Sequence, residues 1–389
     1  MTDKNQSNKN TGEGRWKIII PILMILLGAV TFAAARHADK AISTPPLTLT
    51  DDGKFSNLML GMPIEDFESL GFSYGDSVDL HFSSGKTAED LPYCSGYYTK
   101  NGSPLVVGYP GHESISLSGN NYPAAEVLGI DPESDKVVIT LRKKGGCSDM
   151  EKTFSAIYTD ARSDYASDEE FANFREMTGG KLKEKMFYRS ASPYDNIHNR
   201  ATYVNRLCEK NNIQCILDLA DSEEDMAAYA KKAEAAGNTD TYWYRLYKEG
   251  KIIPLSLSSS YMSETFRKKL VNGLKEMTKH KGPYLIHCTE GKDRTGFACL
   301  LLSALSGADV KELVNDYMET YKNYYGITEK NAKTAYDAFV GLRFSDMVDL
   351  LRSYTGRKEN DLAMEAREYL RAGGMSEEEI GKLEEILKK

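Results

Sequence analysis

Positive charge is in deficit. The 389-residue chain carries 49 lysines and arginines against 57 aspartates and glutamates, a formal net charge of −8, which argues against the basic face that nucleic acid requires. Cysteine is scarce too, with only Cys94, Cys147, Cys208, Cys215, Cys288 and Cys299. Of these, only Cys288 has an arginine six positions later, so the Cys288–Arg294 spacing is not a by-product of composition. No pattern calls for a metal ion or an organic cofactor, and none is expected. Tyrosine is abundant, at 24 residues, but no chemistry attaches to that count by itself. The length suits two soluble domains with a remainder, at about 100–200 residues per domain.

Residues 287–296 read HCTEGKDRTG. An apolar run at 283–286 precedes them and a helical pattern begins near Thr295, which predicts a strand, a tight loop and a helix. Amides gathered at a helix N-terminus favour an anion, and a dianionic phosphate is the natural guest. Thr289, Glu290, Gly291, Lys292, Asp293 and Arg294 form the expected phosphate-binding loop. Cys288 lies at its base, where a thiolate faces the phosphorus, and the helix end, the amides and Arg294 all favour the thiolate form. Arg294 can bridge two phosphoryl oxygens with its planar fork, Thr295 can donate to the sulfur when it leaves, and His287 orients the loop. The bland alternative is a buried structural cysteine beside a surface arginine. A leaving oxygen needs a proton. The candidates are Asp293 within the loop and Glu249 after a predicted strand at 242–247; the alternative for each, stronger for Glu249, is a solvated surface charge.

The N-terminus resembles a targeting segment. Lys4, Lys9, Arg15 and Lys17 sit in a polar leader, residues 1–17, before an uncharged run at 18–35 closed by Arg36. That run is near the lower limit of about 17–25 residues for a spanning helix. It reads as a transmembrane anchor, or as a signal cleaved near Ala33–Ala35. With positive charge mainly before the run, the remainder is expected outside the cytoplasm, tethered as a single-pass protein or secreted. Cys94 with Cys147, or Cys208 with Cys215, could then form disulfides.

Residues 36–50 read as a linker. Residues 51–150 show short alternating strands at 78–82, 104–109, 113–117 and 136–141, with a short helix at 124–128, and predict a small β-barrel or sandwich. From 155 to 389 strands alternate with helices, which predicts a central parallel-rich sheet covered on both faces. Its elements include a helix near 199–210, a buried strand at 213–219, a helix capped by Ser263, and C-terminal helices at 310–321, 335–354 and 361–372. A last helix is capped by Ser376 with Glu379.

The loop resembles the HCxxGKDRTG signature of the bacterial tyrosine phosphatases related to the secreted tyrosine and lipid phosphatase of mycobacteria. Further matches are Asn173-Phe174-Arg175, Tyr188-Arg189-Ser190, residues 216–219, and Tyr369-Leu370 through Gly374-Met375-Ser376. The resemblance implies a cysteine-phosphatase fold over 155–389, with Cys288 as nucleophile, Arg294 as phosphate-binding arginine and a phosphocysteine intermediate. The substrate it implies is a phosphorylated protein, with a phospholipid or inositol phosphate as the alternative; a non-catalytic phospho-ligand binder is a third reading. The chain departs from the family in having Asp218-Leu219-Ala220 where the family has Asp-Leu-Arg. The family's acid aspartate also has no direct match, Glu249 being the stand-in. Residues 52–57, 104–111, 124–130 and 135–141 resemble the C-terminal barrel of the SAM hydroxide adenosyltransferases. That resemblance implies the barrel fold and no activity, since that family's nucleotide-handling domain has no counterpart here.

Overall fold

The computed structural model describes residues 41–389 apart from 53–56, 101, 120–121, 156, 259 and 357–360. The expected leader, the apolar run at 18–35 and the start of the linker lie outside the described residues. Among the described residues no helix is long and apolar enough to cross a membrane.

Seven strands close a barrel in the order β1-β2-β6-β5-β4-β3-β7. They are β1 (Leu47–Asp51), β2 (Leu58–Pro63), β3 (Ser77–Phe82), β4 (Thr87–Cys94), β5 (Leu105–Val107), β6 (Ser114–Ser118) and β7 (Lys136–Lys143). Alternation drives closure: Val78, Leu80 and Phe82 of β3 point inward with Leu47, Leu49, Leu58, Leu60, Val137 and Ile139, while His81 faces water. The β1–β7 pairing, with Leu47 opposite Val137, joins the ends of the sheet and removes its free edges. The last residues of the expected linker therefore belong to a barrel strand. Their threonines and leucines alternate, but Pro45-Pro46 just upstream masked the start of the strand.

The second sheet has the order β11-β10-β12-β9-β8. Its strands are β8 (Arg175–Glu176), β9 (Phe187–Ser190), β10 (Cys215–Asp218), β11 (Ile252–Pro254) and β12 (Tyr284–His287). All are parallel except the edge strand β8. Successive residues feed opposite cores. Phe187, Cys215, Leu217, Tyr284 and Ile286 join one apolar cluster, while Tyr188, Ile216 and Leu285 join another. Both faces are thus covered, as a parallel sheet requires. The register sets Pro254, Asp218, His287 and Ser190 in one row at the carboxyl ends. The loops leaving that row surround Cys288.

One predicted element changes type. The stretch expected as a strand at 242–247 is a helix, Tyr242–Lys248, and the neighbouring strand is Ile252–Pro254. The aromatic run has strand propensity. Its buried members nevertheless fit a helix, with Trp243 and Tyr244 packed in one cluster with Tyr194, Met226 and Ala230 and Leu246 in another with Val204, Leu207 and Ile216, and packing overrides propensity. The helix expected at 335–354 is built from Lys333–Phe339, a π-helical turn at Val340–Phe344, and Ser345–Ser353. Ser263 caps the helix Glu264–Met277, and Ser376 with Glu379 forms the expected capping box.

The helix Asp293–Leu305, which begins at the candidate loop, is buried continuously from Thr295 to Leu305. Phe297 stacks on Tyr261 at 5.4 Å between ring centroids and meets Phe266 at 5.9 Å and Tyr369 at 5.3 Å. Phe297→Ala is expected to cost about 3–5 kcal/mol by chemical denaturation. A loss below about 1 kcal/mol, at the surface-substitution level, would show that this junction does not anchor the helix.

Candidate active site

Residues 288–292 turn from β12 into the helix Asp293–Leu305. Their backbone is held from behind. The Ser192 amide donates to the Thr289 carbonyl at 3.1 Å. The Tyr324 hydroxyl donates to the Glu290 carbonyl at 2.5 Å. Arg189 Nη2 donates to the Gly291 carbonyl at 2.9 Å, and Asn173 Nδ2 donates to the same oxygen at 3.2 Å. In a planar trans peptide the next residue's N–H points opposite to the carbonyl. Tying back three successive carbonyls therefore turns the amides of Glu290, Gly291 and Lys292 to the other side, where they form an anion cradle.

Gly291 makes the turn possible. It has φ +68°, and a Cβ there would lie 2.2 Å from the Ser190 carbonyl oxygen. Behind the loop, Arg189 is fully buried and Asn173 likewise. Arg189 Nη1 pairs with Asp316 at 2.5 Å, Arg175 Nε pairs with the same carboxylate at 3.2 Å, and Arg175 Nη1 donates to Asn173 Oδ1 at 2.6 Å. Burial by itself raises the Asp316 carboxyl, but Arg189 and Arg175 outweigh it and hold it below the ordinary range. The residues at 173–175 and 188–190 that matched the family are thus the loop's supports.

Cys288 is 4% exposed. Arg294 is fixed by Nη1 donating to the Leu257 carbonyl at 3.1 Å and Nη2 to Thr289 Oγ1 at 3.3 Å. The Thr295 hydroxyl is buried and makes no hydrogen bond. His287 is buried, with Nδ1 3.2 Å from the Cys288 carbonyl and Nε2 2.9 Å from the Tyr194 hydroxyl. Burial pushes its pKa down to about 4, so the ring is neutral near pH 7 and acts as a spacer fixed at both nitrogens.

Glu249, expected near the mouth, stands elsewhere. It ends the helix Tyr242–Lys248 at the amino end of β11, opposite the carboxyl-end row that holds Cys288, and pairs with Lys251 at 2.6 Å in a largely exposed position. Asp293 is the first residue of the helix, half exposed, with Oδ2 3.9 Å from Lys292 Nζ. A third carboxyl, missed in the sequence, is Asp221. The loop carrying it leaves β10 beside His287: the Leu219 amide donates to the His287 carbonyl at 2.9 Å, and the Leu257 amide to the Leu219 carbonyl at 3.0 Å. Asp221 Oδ2 is buried without a hydrogen bond. Burial and then the neighbouring Asp218 push its pKa up to about 7. Asp218 is itself buried, accepts from Tyr194 at 2.5 Å, and is raised by burial. The only signal in the sequence was a second aspartate three residues beyond a buried strand. All six cysteines are free thiols, including both pairs considered for disulfides. No group of metal-ligating side chains occurs among the described residues.

The model of the tyrosine phosphatase family matches residues 168–389, more than half of the chain. Among solved structures, the chain is similar to the core catalytic domain of the PP-IP phosphatase SIW14 from S. cerevisiae, determined in complex with citrate. The identity is 18%, over 48% of this chain and 93% of that one, with a TM-score of 0.27. No curated protein matches.

Gly291→Ala is expected to lower stability on the order of 1–3 kcal/mol through backbone strain, and to weaken inorganic phosphate binding measured by calorimetry. Unchanged phosphate affinity would show that the cradle does not depend on this turn. For Asp221, the folded carboxyl keeps its proton to about pH 7, whereas an unfolded aspartate loses it near pH 4, about 3.9. Folding is therefore penalised progressively as pH rises through that window, and the penalty persists above it. Asp221→Asn should raise Tm more at about pH 8 than at about pH 4.5; equal gains at both would contradict a buried, proton-holding carboxyl.

Proposed function

As this chain belongs to the tyrosine phosphatase family, we propose that it is an exported, membrane-tethered protein-tyrosine or dual-specificity phosphatase that hydrolyses phosphomonoesters through a phosphocysteine. The observation that carries the reading is the loop with its carbonyls tied back above Cys288 and with Arg294 locked between Leu257 and Thr289. Export and tethering rest on the charge pattern around residues 18–35.

The cradle binds the three non-bridging phosphoryl oxygens, and Arg294 spans two of them. The Cys288 thiolate attacks phosphorus, a P–S bond forms, and the P–O bond to the leaving group breaks. Asp293 supplies the proton to that oxygen. A phenol, with a pKa of about 10, leaves more readily than an alkyl alcohol. Water, giving a proton to the now ionised Asp293, then attacks phosphorus; a P–O bond forms, the P–S bond breaks and inorganic phosphate is released. The sulfur leaves as a thiolate that can accept a hydrogen bond from the unpartnered Thr295 hydroxyl. Lys292 in the loop favours a second reading, an inositol-phosphate or phosphoinositide substrate on the same chemistry.

Phosphate release from an aryl phosphate tests the assignment. Cys288→Ser should lower kcat on the order of 10⁴-fold or more while retaining phosphate binding. Wild-type-like turnover in that variant would remove the mechanism. Asp293→Asn should lose the basic limb of the pH–rate profile, and an intact limb would transfer the acid's role to another group, with Asp221 next in line.

A further inference from the structure

The signature loop contains a residue of opposite sign at its centre. Glu290 is only 24% exposed at its side chain and is held at both oxygens. Oε2 lies 3.0 Å from Lys292 Nζ, and Oε1 accepts a hydrogen bond from Tyr158. His198 Nε2 is a further 4.0 Å neighbour. Tyr158 is itself clamped. It stacks on Tyr324 at 4.8 Å, the Arg200 guanidinium lies 4.9 Å over its ring, and Arg200 pairs with Asp160 at 2.6 Å. Tyr324 closes the circuit through its hydrogen bond to the Glu290 carbonyl.

Lys292 is enclosed in the same way. Its side chain is 18% exposed, with Asp293 Oδ2 at 3.9 Å, the Tyr325 hydroxyl at 3.5 Å and the Tyr325 ring at 6.0 Å. An ion pair shielded from water to this degree interacts more strongly than an exposed one. Turning the ammonium toward a ligand would leave Glu290 partly buried with Tyr158 alone as its close donor. A second phosphate brought near the first would meet the Glu290 carboxylate.

We propose that Glu290 sets the charge capacity of the loop: by retaining Lys292 it limits the site to esters that carry no second phosphate near the scissile one. This rests on the reading that the loop binds the scissile phosphate, and it deepens that reading by naming the substrate class. The charges of Glu290 and Lys292 cancel and Asp293 is neutral while it carries the acid's proton, so the amides, the helix end and Arg294 hold one phosphoryl group with no cation left over for another. The Tyr158 and Tyr325 rings beside the pair offer an apolar wall to an aromatic leaving group. Tyr158 lies upstream of residues 168–389, so part of the specificity comes from the segment joining the two sheets.

The test compares kcat/KM for a phosphotyrosine peptide and for inositol hexakisphosphate. Wild type should favour the peptide, and Glu290→Gln should shift the ratio toward the polyphosphate by about tenfold, the scale of one lost charge contact. Tyr158→Phe should shift it the same way but less. Adding Lys292→Ala to Glu290→Gln should cancel the shift, since the released cation is then gone. A wild-type preference for inositol hexakisphosphate, or a ratio unchanged in Glu290→Gln, overturns the proposal. The same comparison is made by calorimetric Kd in the Cys288→Ser background. Absence of turnover in wild type would thus overturn the catalytic reading alone, while the Kd ratios still decide the role of Glu290.

Discussion

Everything at the site depends on the backbone of residues 289–291 being held by its carbonyl oxygens. A loop at a helix N-terminus has amides to offer only if its carbonyls are satisfied elsewhere, because each peptide plane fixes the two in opposite directions. Here the carbonyls are satisfied by Ser192, Tyr324, Asn173 and Arg189, from three separate segments of the chain. Arg189 can sit fully buried because Asp316 neutralises it, and Asp316 is shared with Arg175. Breaking one side of such a buried pair leaves an uncompensated charge, so loop geometry and domain stability are coupled through the same few groups.

A second constraint is the register of the parallel sheet. Placing Asp218 opposite His287 and His287 opposite Ser190 brings three loops to one edge. It also crowds acidic groups there. Tyr194 links Asp218 to His287, and Asp221 stands beside them with an unpartnered oxygen. The floor beside Cys288 is therefore a neutral imidazole with two carboxyls whose pKa burial raises, that of Asp221 to about 7. On the outer side of the loop the balance differs, because Glu290 and Lys292 cancel one another under an aromatic cover.

Local signals found most of the regular elements. The pattern predicts the helix at Ala124–Leu128 to the residue, Ser263 predicts one cap, and Ser376 with Glu379 predicts a capping box, and each is present. Short-range reading failed where burial decided the conformation. The run at 242–247 is a helix because its aromatics pack on Tyr194 and its neighbours, and Glu249 went with it to the far end of the sheet. Leu47–Asp51 forms a strand between two partners, with Leu49 to Asp51 paired to nearby β2 and Leu47 and Thr48 to β7, some ninety residues away.

By itself the sequence determined the place of the candidate nucleophile, the arginine six residues on, the glycine between them and the strand–loop–helix context. These follow from spacing within ten consecutive residues, where backbone geometry leaves few alternatives. Only the tertiary structure decided what surrounds that loop. Arg189, Asn173 and Tyr324 support it, Asp221 lies close by, and Tyr158 holds Glu290. Hydrogen bonds between residues from 34 to 132 positions apart leave no periodic trace, because each depends on where the sheet register and the packed helices bring two groups together.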